Sequence, residues 1–267
     1  MQRARGVGRL TTSQRDGATH IARLYQEGCA KIRLPHTHSG TLDAVLINTA
    51  GGLIGGDHLS WSIEAAAEGR LVATTQACER VYRSTGADAR VETRISVGAK
   101  AHLDWLPQET ILFENSRLDR SLEIELEDGA SLTAVEAILL GREAMGERTR
   151  SAHLRDNWRI RRRGRLIHAE STRLSGVEAE HDGLSLLAGY RAFATILHVA
   201  PNAEAAEQQY ELVGSMVPDG RRIAVSLVGE RIIVRALAEG GYALRRLIVP
   251  LLAQLSGGGH LPRLWHL

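Results

Sequence analysis

Three carboxylates interrupt apolar runs in this chain, and they are where chemistry is most legible. Glu136 sits in Leu132-Thr133-Ala134-Val135-Glu136-Ala137-Ile138-Leu139-Leu140, and Glu170 in Leu166-Ile167-His168-Ala169-Glu170-Ser171-Thr172. Asp57 follows a glycine corner, Asn48-Thr49-Ala50-Gly51-Gly52-Leu53-Ile54-Gly55-Gly56. An ionised carboxylate buried alone is costly, so each must be paired, protonated or metal-bound. Period-two alternation places Glu136 on one strand face with Ala134, Ile138 and Leu140, a core-side face. The structural reading is a salt bridge from Glu136 to an arginine such as Arg142, and a solvated Glu170 opposite the basic run Arg159 to Arg165. The chemical reading is a set of oxygen ligands for a hard or borderline divalent cation, or a polar path along which one moves.

Other chemistries lack their motifs. A phosphate-cradling loop needs G-x-x-x-x-G-K-[ST], but Gly51 and Gly56 are followed by Asp57 and His58. A dinucleotide fingerprint needs a glycine turn that opens a helix, whereas His58 to Glu64 alternates like a strand. No G-x-S-x-G elbow is present, and Cys78 has Arg80 to lower its pKa but Glu79 to oppose that. Eleven histidines include His36 and His38, spaced i, i+2 so that they could chelate from a loop, yet no H-E-x-x-H or zinc-type cluster appears. The competing enzymatic reading is a metal-dependent enzyme on a β scaffold that uses Asp57, Glu136 and His36/His38 as ligands. The arginine run reads as a solvated strand and turn, or as a patch for an acidic partner.

The totals narrow the class. The chain has 267 residues, enough for a sizeable core, and its 33 Lys+Arg against 31 Asp+Glu leave a net charge of +2, which argues against an obligatory nucleic-acid partner. Two cysteines, Cys29 and Cys78, make neither a disulfide framework nor a thiolate cluster. No apolar run approaches the ~18 residues of a membrane helix, and Met1 to Leu10 lacks the apolar core of a signal peptide. The expectation is a soluble, cytoplasmic protein.

The elements that must position the acids are mostly strands. Residues 1–17 read as frayed and flexible, and His20 to Leu34 as extended chain broken near Glu27-Gly28. Short β runs follow at Leu42 to Ile47, His58 to Ala66, Arg70 to Thr75, Ala87 to Val97, Lys100 to Leu106, Glu109 to Glu114 and Arg120 to Leu126. Asp128-Gly129 reads as a hairpin turn that pairs Ser131 to Leu140 back, and Arg163-Gly164 and Gly229 as two further hairpin turns. Asn202 is the expected N-cap of a helix to Val217, and Tyr242 to Leu255 is helical with a kink or restart at Pro250. The sum is a single, mainly β, mostly antiparallel domain over residues 1–267, with few helices, mostly in the C-terminal third.

Five blocks, in order, carry a resemblance. They are Thr49-Ala50-Gly51-Gly52-Leu53-Ile54-Gly55-Gly56-Asp57, Thr75-Gln76-Ala77-Cys78-Glu79-Arg80-Val81-Tyr82-Arg83-Ser84, Trp105-Leu106-Pro107-Gln108-Glu109-Thr110-Ile111-Leu112-Phe113, Leu140-Gly141-Arg142-Glu143-Ala144-Met145-Gly146-Glu147 and Leu261-Pro262-Arg263-Leu264-Trp265. Together they span nearly the whole chain, which resembles the urease accessory protein D family (UreD, also UreH). The resemblance implies a β-helix-like scaffold without enzymatic activity. It also implies binding to accessory protein F, recruitment of the GTPase accessory protein G through F, and docking on apo-urease. The resemblance further implies that no cofactor is held tightly and that Ni2+ is in transit through a polar tunnel, whose acids fall on Asp57, Glu136 and Glu170. Cys78 and Glu79 depart from the family pattern, which has small or hydroxyl residues there, and His58 stands where an acid can occur.

Overall fold

The computed structural model describes residues 3–36, 39–142, 146–147, 149–177, 179–184, 186–218, 220, 222–257 and 261–266. Its strands are β1 (Arg5–Arg15), β2 (Ala18–Gly28), β3 (Ala30–Arg33), β4 (Leu42–Asn48), β5 (His58–Ala65), β6 (Arg70–Thr75), β7 (Glu79–Val81), β8 (Ala89–Val97) and β9 (His102–Leu106). They continue as β10 (Thr110–Leu112), β11 (Arg117–Leu126), β12 (Ser131–Leu140), β13 (His153–Arg162), β14 (Arg165–Ser175), β15 (Ala192–Val199), β16 (Ile223–Val228) and β17 (Arg231–Ala238). The helices are α1 (Ala179–Asp182), α2 (Ala203–Ser215) and α3 (Gly241–Leu255). No helix among the described residues is long and apolar enough to cross a membrane.

The chain coils between two sheets. β5, β8, β11 and β13 lie parallel in one, and β4, β6, β9 and β12 lie parallel in the other. Each coil lays one strand in each sheet, so the opposite sheet itself provides the crossover that parallel neighbours require. The mainly β, β-helix-like class is therefore observed. Its expected antiparallel character holds only at the ends, in β1–β2, β3–β4, β13–β14, β12–β15, β15–β17 and β16–β17. The expected hairpin at Asp128-Gly129 is corrected for the same reason: the turn carries β11 of one sheet to β12 of the other. The hairpins at Arg163-Gly164 and Gly229 do form, with Arg162 opposite Arg165 and Val228 opposite Arg231.

The N-terminal expectation is also corrected. β1 is held between antiparallel β2 and parallel β5. Its inward positions are Gly6, Gly8, Leu10 and Thr12, of which all but Leu10 are small or polar and so disguise a buried strand. The disguise has a steric cause, since a Cβ on Gly8 would lie 2.4 Å from the Trp61 ring and one on Gly6 2.6 Å from the Ala30 nitrogen.

Two cores result. Between the sheets lie Leu10, Leu59, Trp61, Ile63, Ile95, Leu103, Leu118, Leu122, Leu132, Ala134 and Trp158. Behind β12, β15 and β17, Val135, Ala137, Ile196 and Val234 pack on Val213, Leu244, Ile248 and Leu252 of α2 and α3. β12 is buried on both faces and so lacks polar alternation. Asn202 caps α2 as expected, its side chain accepting from the Ala205 N–H at 2.9 Å. Pro250, on the exposed side of α3, lies within one continuous helix rather than starting a second.

Candidate functional site

Alternation on the inner faces places a charged layer where apolar rungs would otherwise continue. Arg120 is in phase with Leu118 and Leu122, Asp156 with Leu154 and Trp158, and Glu136 with Ala134 and Ile138. In register, Arg120 lies beside Asp156 and Asp156 beside Thr172 in one sheet. Opposite, Glu136 lies beside Thr195 and Thr195 beside Arg235.

Arg120 joins the two rows. It donates to Asp156 through Nε (3.2 Å) and Nη2 (2.8 Å), and to Thr110 Oγ1 through Nη1 (3.0 Å). The same Nη1 is 2.7 Å from Glu136 Oε2, but that oxygen receives no aligned hydrogen bond. Arg120 is thus committed to Asp156 by direction and to Glu136 by charge alone. The expected partner of Glu136, Arg142, is corrected: Arg142 pairs with Glu147 at 2.8 Å and lies over the Phe113 ring.

Around these groups is a cavity of about 60 Å³, lined in part by Leu53, Glu79, Gln108, Thr110, Arg120 and Glu136. That is room for about four waters. Burial pushes the Glu79 carboxyl up to about 7, against the Asn48 amide that donates to both its oxygens at 3.2 Å. Burial also raises Glu136; Arg120 opposes this and Asp156 adds to it. Burial works against the Arg120 charge too, but Asp156 and Glu136 outweigh it and keep the guanidinium protonated.

A pH dependence follows with a definite sign. Unfolded glutamates titrate near ~4.3, so between about 4 and about 7 the folded protein retains protons the unfolded chain has released. This contribution to stability is full below about 4 and is lost as pH rises through that window. The Tm of a Glu79→Gln variant should therefore fall less than wild type over the same range; an unchanged difference between the two proteins across pH would contradict the burial argument.

The other two predicted acids lie elsewhere. Asp57 is 3 % exposed, and its oxygens accept from Ala4 N–H and Ile54 N–H, both at 2.8 Å. It ties the start of β1 to the glycine corner, whose Leu53 bridges to Val81 and forms part of the cavity wall. Gly52 must be glycine there, since φ is +141° and a Cβ would lie 2.3 Å from the Tyr82 ring. Asp57→Ala strands two backbone donors, so it should cost about 1–3 kcal/mol each and expose residues 3–15 to protease; a urea midpoint at the wild-type value would contradict that role.

Glu170 is not solvated as the structural reading had it. It faces inward from β14, 2.7 Å from Arg235 and 3.6 Å from His168, and these two neighbours hold its carboxyl below the usual range. It lines a separate groove of about 830 Å³ with Thr172, Thr195 and Arg235. The three acids therefore do not line one cavity, but Glu136 and Glu170 share the charged layer through Thr195 and Arg235. His36 is exposed and His38 lies outside the described residues. No cluster of three or more His, Cys, Asp or Glu side chains suited to a metal ion occurs among the described residues.

Sequence reasoning missed Arg120, Asp156 and Glu79. Arg120 and Asp156 could have been found from their in-phase positions; Glu79 had no signal, standing in the polar stretch Gln76 to Arg80. Cys78 is no nucleophile. Its thiol donates to Glu109 Oε2 at 3.3 Å, and burial, then the Glu109 charge, pushes it up to about 11.

Three of the five blocks that carry the resemblance line this cavity, through Leu53, through Thr75 and Glu79, and through Trp105, Pro107, Gln108 and Thr110. Leu53 bridges to Val81, β7 pairs with β10 and β10 with β12. The Tyr82 and Phe113 rings stack edge-on at 5.0 Å. Glu109 accepts from Arg245 Nε at 2.6 Å, Arg245 lies over the Trp265 ring, and Trp265 Nε1 donates to the Leu106 carbonyl at 3.0 Å. Glu143 to Met145 lie outside the described residues.

Fold and site together define a β-solenoid with a buried layer of ionisable side chains beside a small internal cavity. The chain belongs to the UreD urease accessory protein family, whose model matches residues 4–266. It is 59 % identical over 265 residues to the urease accessory protein UreD of Chelativorans sp., covering 99 % of this chain and 95 % of that one. It is 47 % identical to the UreD of Rhizobium leguminosarum bv. viciae (100 % and 96 % covered) and 46 % identical to that of Agrobacterium fabrum (100 % and 92 %).

Proposed function

We propose that this protein is a non-enzymatic scaffold of urease maturation that conducts Ni2+ into apo-urease in the cytoplasm. It acts with accessory protein F and, through F, the GTPase accessory protein G, where GTP hydrolysis takes place. Family membership supports the maturation role. The observation that carries the conduit is the layer of hydroxyl and ionisable side chains running between the sheets, from the cavity at Glu136 through Thr195 and Thr172 to the groove at Glu170.

The chemistry suits cargo in passage. A transported ion must bind well enough to enter and weakly enough to leave. Spaced carboxylates and hydroxyls hold a borderline divalent cation loosely, whereas a cage of imidazoles and thiolates would retain it. Asp57 serves this path indirectly, by fixing the corner that carries Leu53.

The test is urease activity and urease-bound nickel in cells carrying the matching urease operon, with and without this gene. Apo-urease that accumulates without nickel in the deletion supports the role. Fully nickel-loaded urease in the deletion overturns it.

A further inference from the structure

We infer that Glu79 is a second carboxylate of the ion path, which forms with Glu136 a two-carboxylate transit site for a divalent cation inside the cavity. The inference rests on the conduit reading of that cavity.

Geometry brings the two acids together. β6 and β7 are separated by Gln76 to Cys78, and β9 and β10 by Pro107 to Glu109, while β12 runs on unbroken beside them. The breaks leave the cavity, and both Glu79 and Glu136 line it. Glu79 lies in register with Thr110, and Thr110 with Ile138, two residues along β12 from Glu136. Thr110 in turn accepts from Arg120 at 3.0 Å.

Charge is out of balance there. Asp156, Glu136 and Glu79 surround Arg120, and among the described residues no salt bridge reaches Glu79. Its hydrogen bonds come from neutral donors, the Asn48 amide and the Arg80 backbone N–H. One further buried group lacks a partner: Gln108 Nε2, on a side chain only 5 % exposed, is part of the cavity lining and is a donor, suited to a water in the shell of an entering ion. The Nη1 of Arg120 stands beside Glu136 as a resident cation. Its three aligned hydrogen bonds go to Asp156 and Thr110, so it can release Glu136 to an entering ion and remain anchored.

Space sets the coordination. Room for about four waters is less than a full octahedral shell of about six. An entering ion must exchange water for protein oxygens, and Glu79 and Glu136 are the carboxylates that face it.

The experiment is equilibrium dialysis of the purified full-length protein against Ni2+ alone, for wild type, Glu79→Gln, Glu136→Gln and the double variant, with circular dichroism on each. Glu79→Thr replaces Glu79→Gln if the latter does not fold. The expected result is at least a tenfold loss of Ni2+ affinity at one site in each single variant, with the double variant no worse than Glu136→Gln. If Glu79→Gln and Glu79→Thr bind as wild type while Glu136→Gln loses the site, the Glu79 assignment is overturned and the conduit stands. If no variant changes Ni2+ binding or urease activation, both are overturned.

Discussion

Arg120→Met should lower the stability of the protein by about 3–5 kcal/mol. Methionine is close to the arginine stem in volume and keeps the packing against Leu118 and Leu122. What it removes is the positive charge that faces Asp156 and Glu136, both nearly buried. Breaking a buried pair on one side leaves the other side uncompensated, and here two carboxylates are left at once. Urea denaturation of Arg120→Met beside Arg120→Met/Asp156→Asn and Arg120→Met/Glu136→Gln tests this. Each second substitution should recover part of the loss, because it removes one stranded charge. Additive losses in the double variants would mean that the layer is solvated well enough for Arg120 to be dispensable.

Glu136→Gln should reduce urease activation in cells by at least tenfold while costing only about 1 kcal/mol in stability. Glutamine has the same shape, and its amide oxygen can stay beside Arg120, which keeps both hydrogen bonds to Asp156. The fold therefore survives, but the cavity loses an anionic ligand. Glu170→Gln should have a smaller effect, because Glu170 sits at the groove and is already matched by Arg235. The readouts are urease activity and nickel per urease active site, with co-purification of the accessory proteins as the control for assembly. Wild-type activation by a folded Glu136→Gln would remove Glu136 from the path. Losses that track Tm across all variants would mean that the acids only hold the fold.

Local sequence disclosed strands well and their partners poorly. β14, β16 and β17 are visible from the turns at Gly164 and Gly229, because a short turn between two strand-like runs leaves the chain little choice but to fold back. Asp128-Gly129 carries the same turn signal, yet its second strand belongs to the opposite sheet. Positive φ at Gly129 permits a sharp reversal and says nothing about which backbone receives the next hydrogen bonds. β1 was hidden because its inner face must be small beneath Trp61.

The site was half legible for a related reason. Glu136 stands out in a strand that is apolar on both faces, so one carboxylate breaks a clear pattern. Arg120 and Asp156 sit in strands that alternate charge with leucine, where a charge in the inward phase is easy to pass over. Glu79 opens β7, a strand of only three residues, too short to show a periodicity that a carboxylate could break.

The coiled path of the chain has a consequence for synthesis. β1 lies between β2 and β5, so the first strand to leave the ribosome has one neighbour until residues 58–65 have been made. After that, each new coil finds a finished edge to grow on, as in other stacked architectures. Until β14 closes one sheet and β15 to β17 close the other, the nascent protein presents two parallel edges with unpaired backbone groups. A message truncated after β12 would yield a fragment that lacks Leu154, Trp158 and Leu197 of the interior and keeps two adhesive margins, a species for chaperones or proteases to remove.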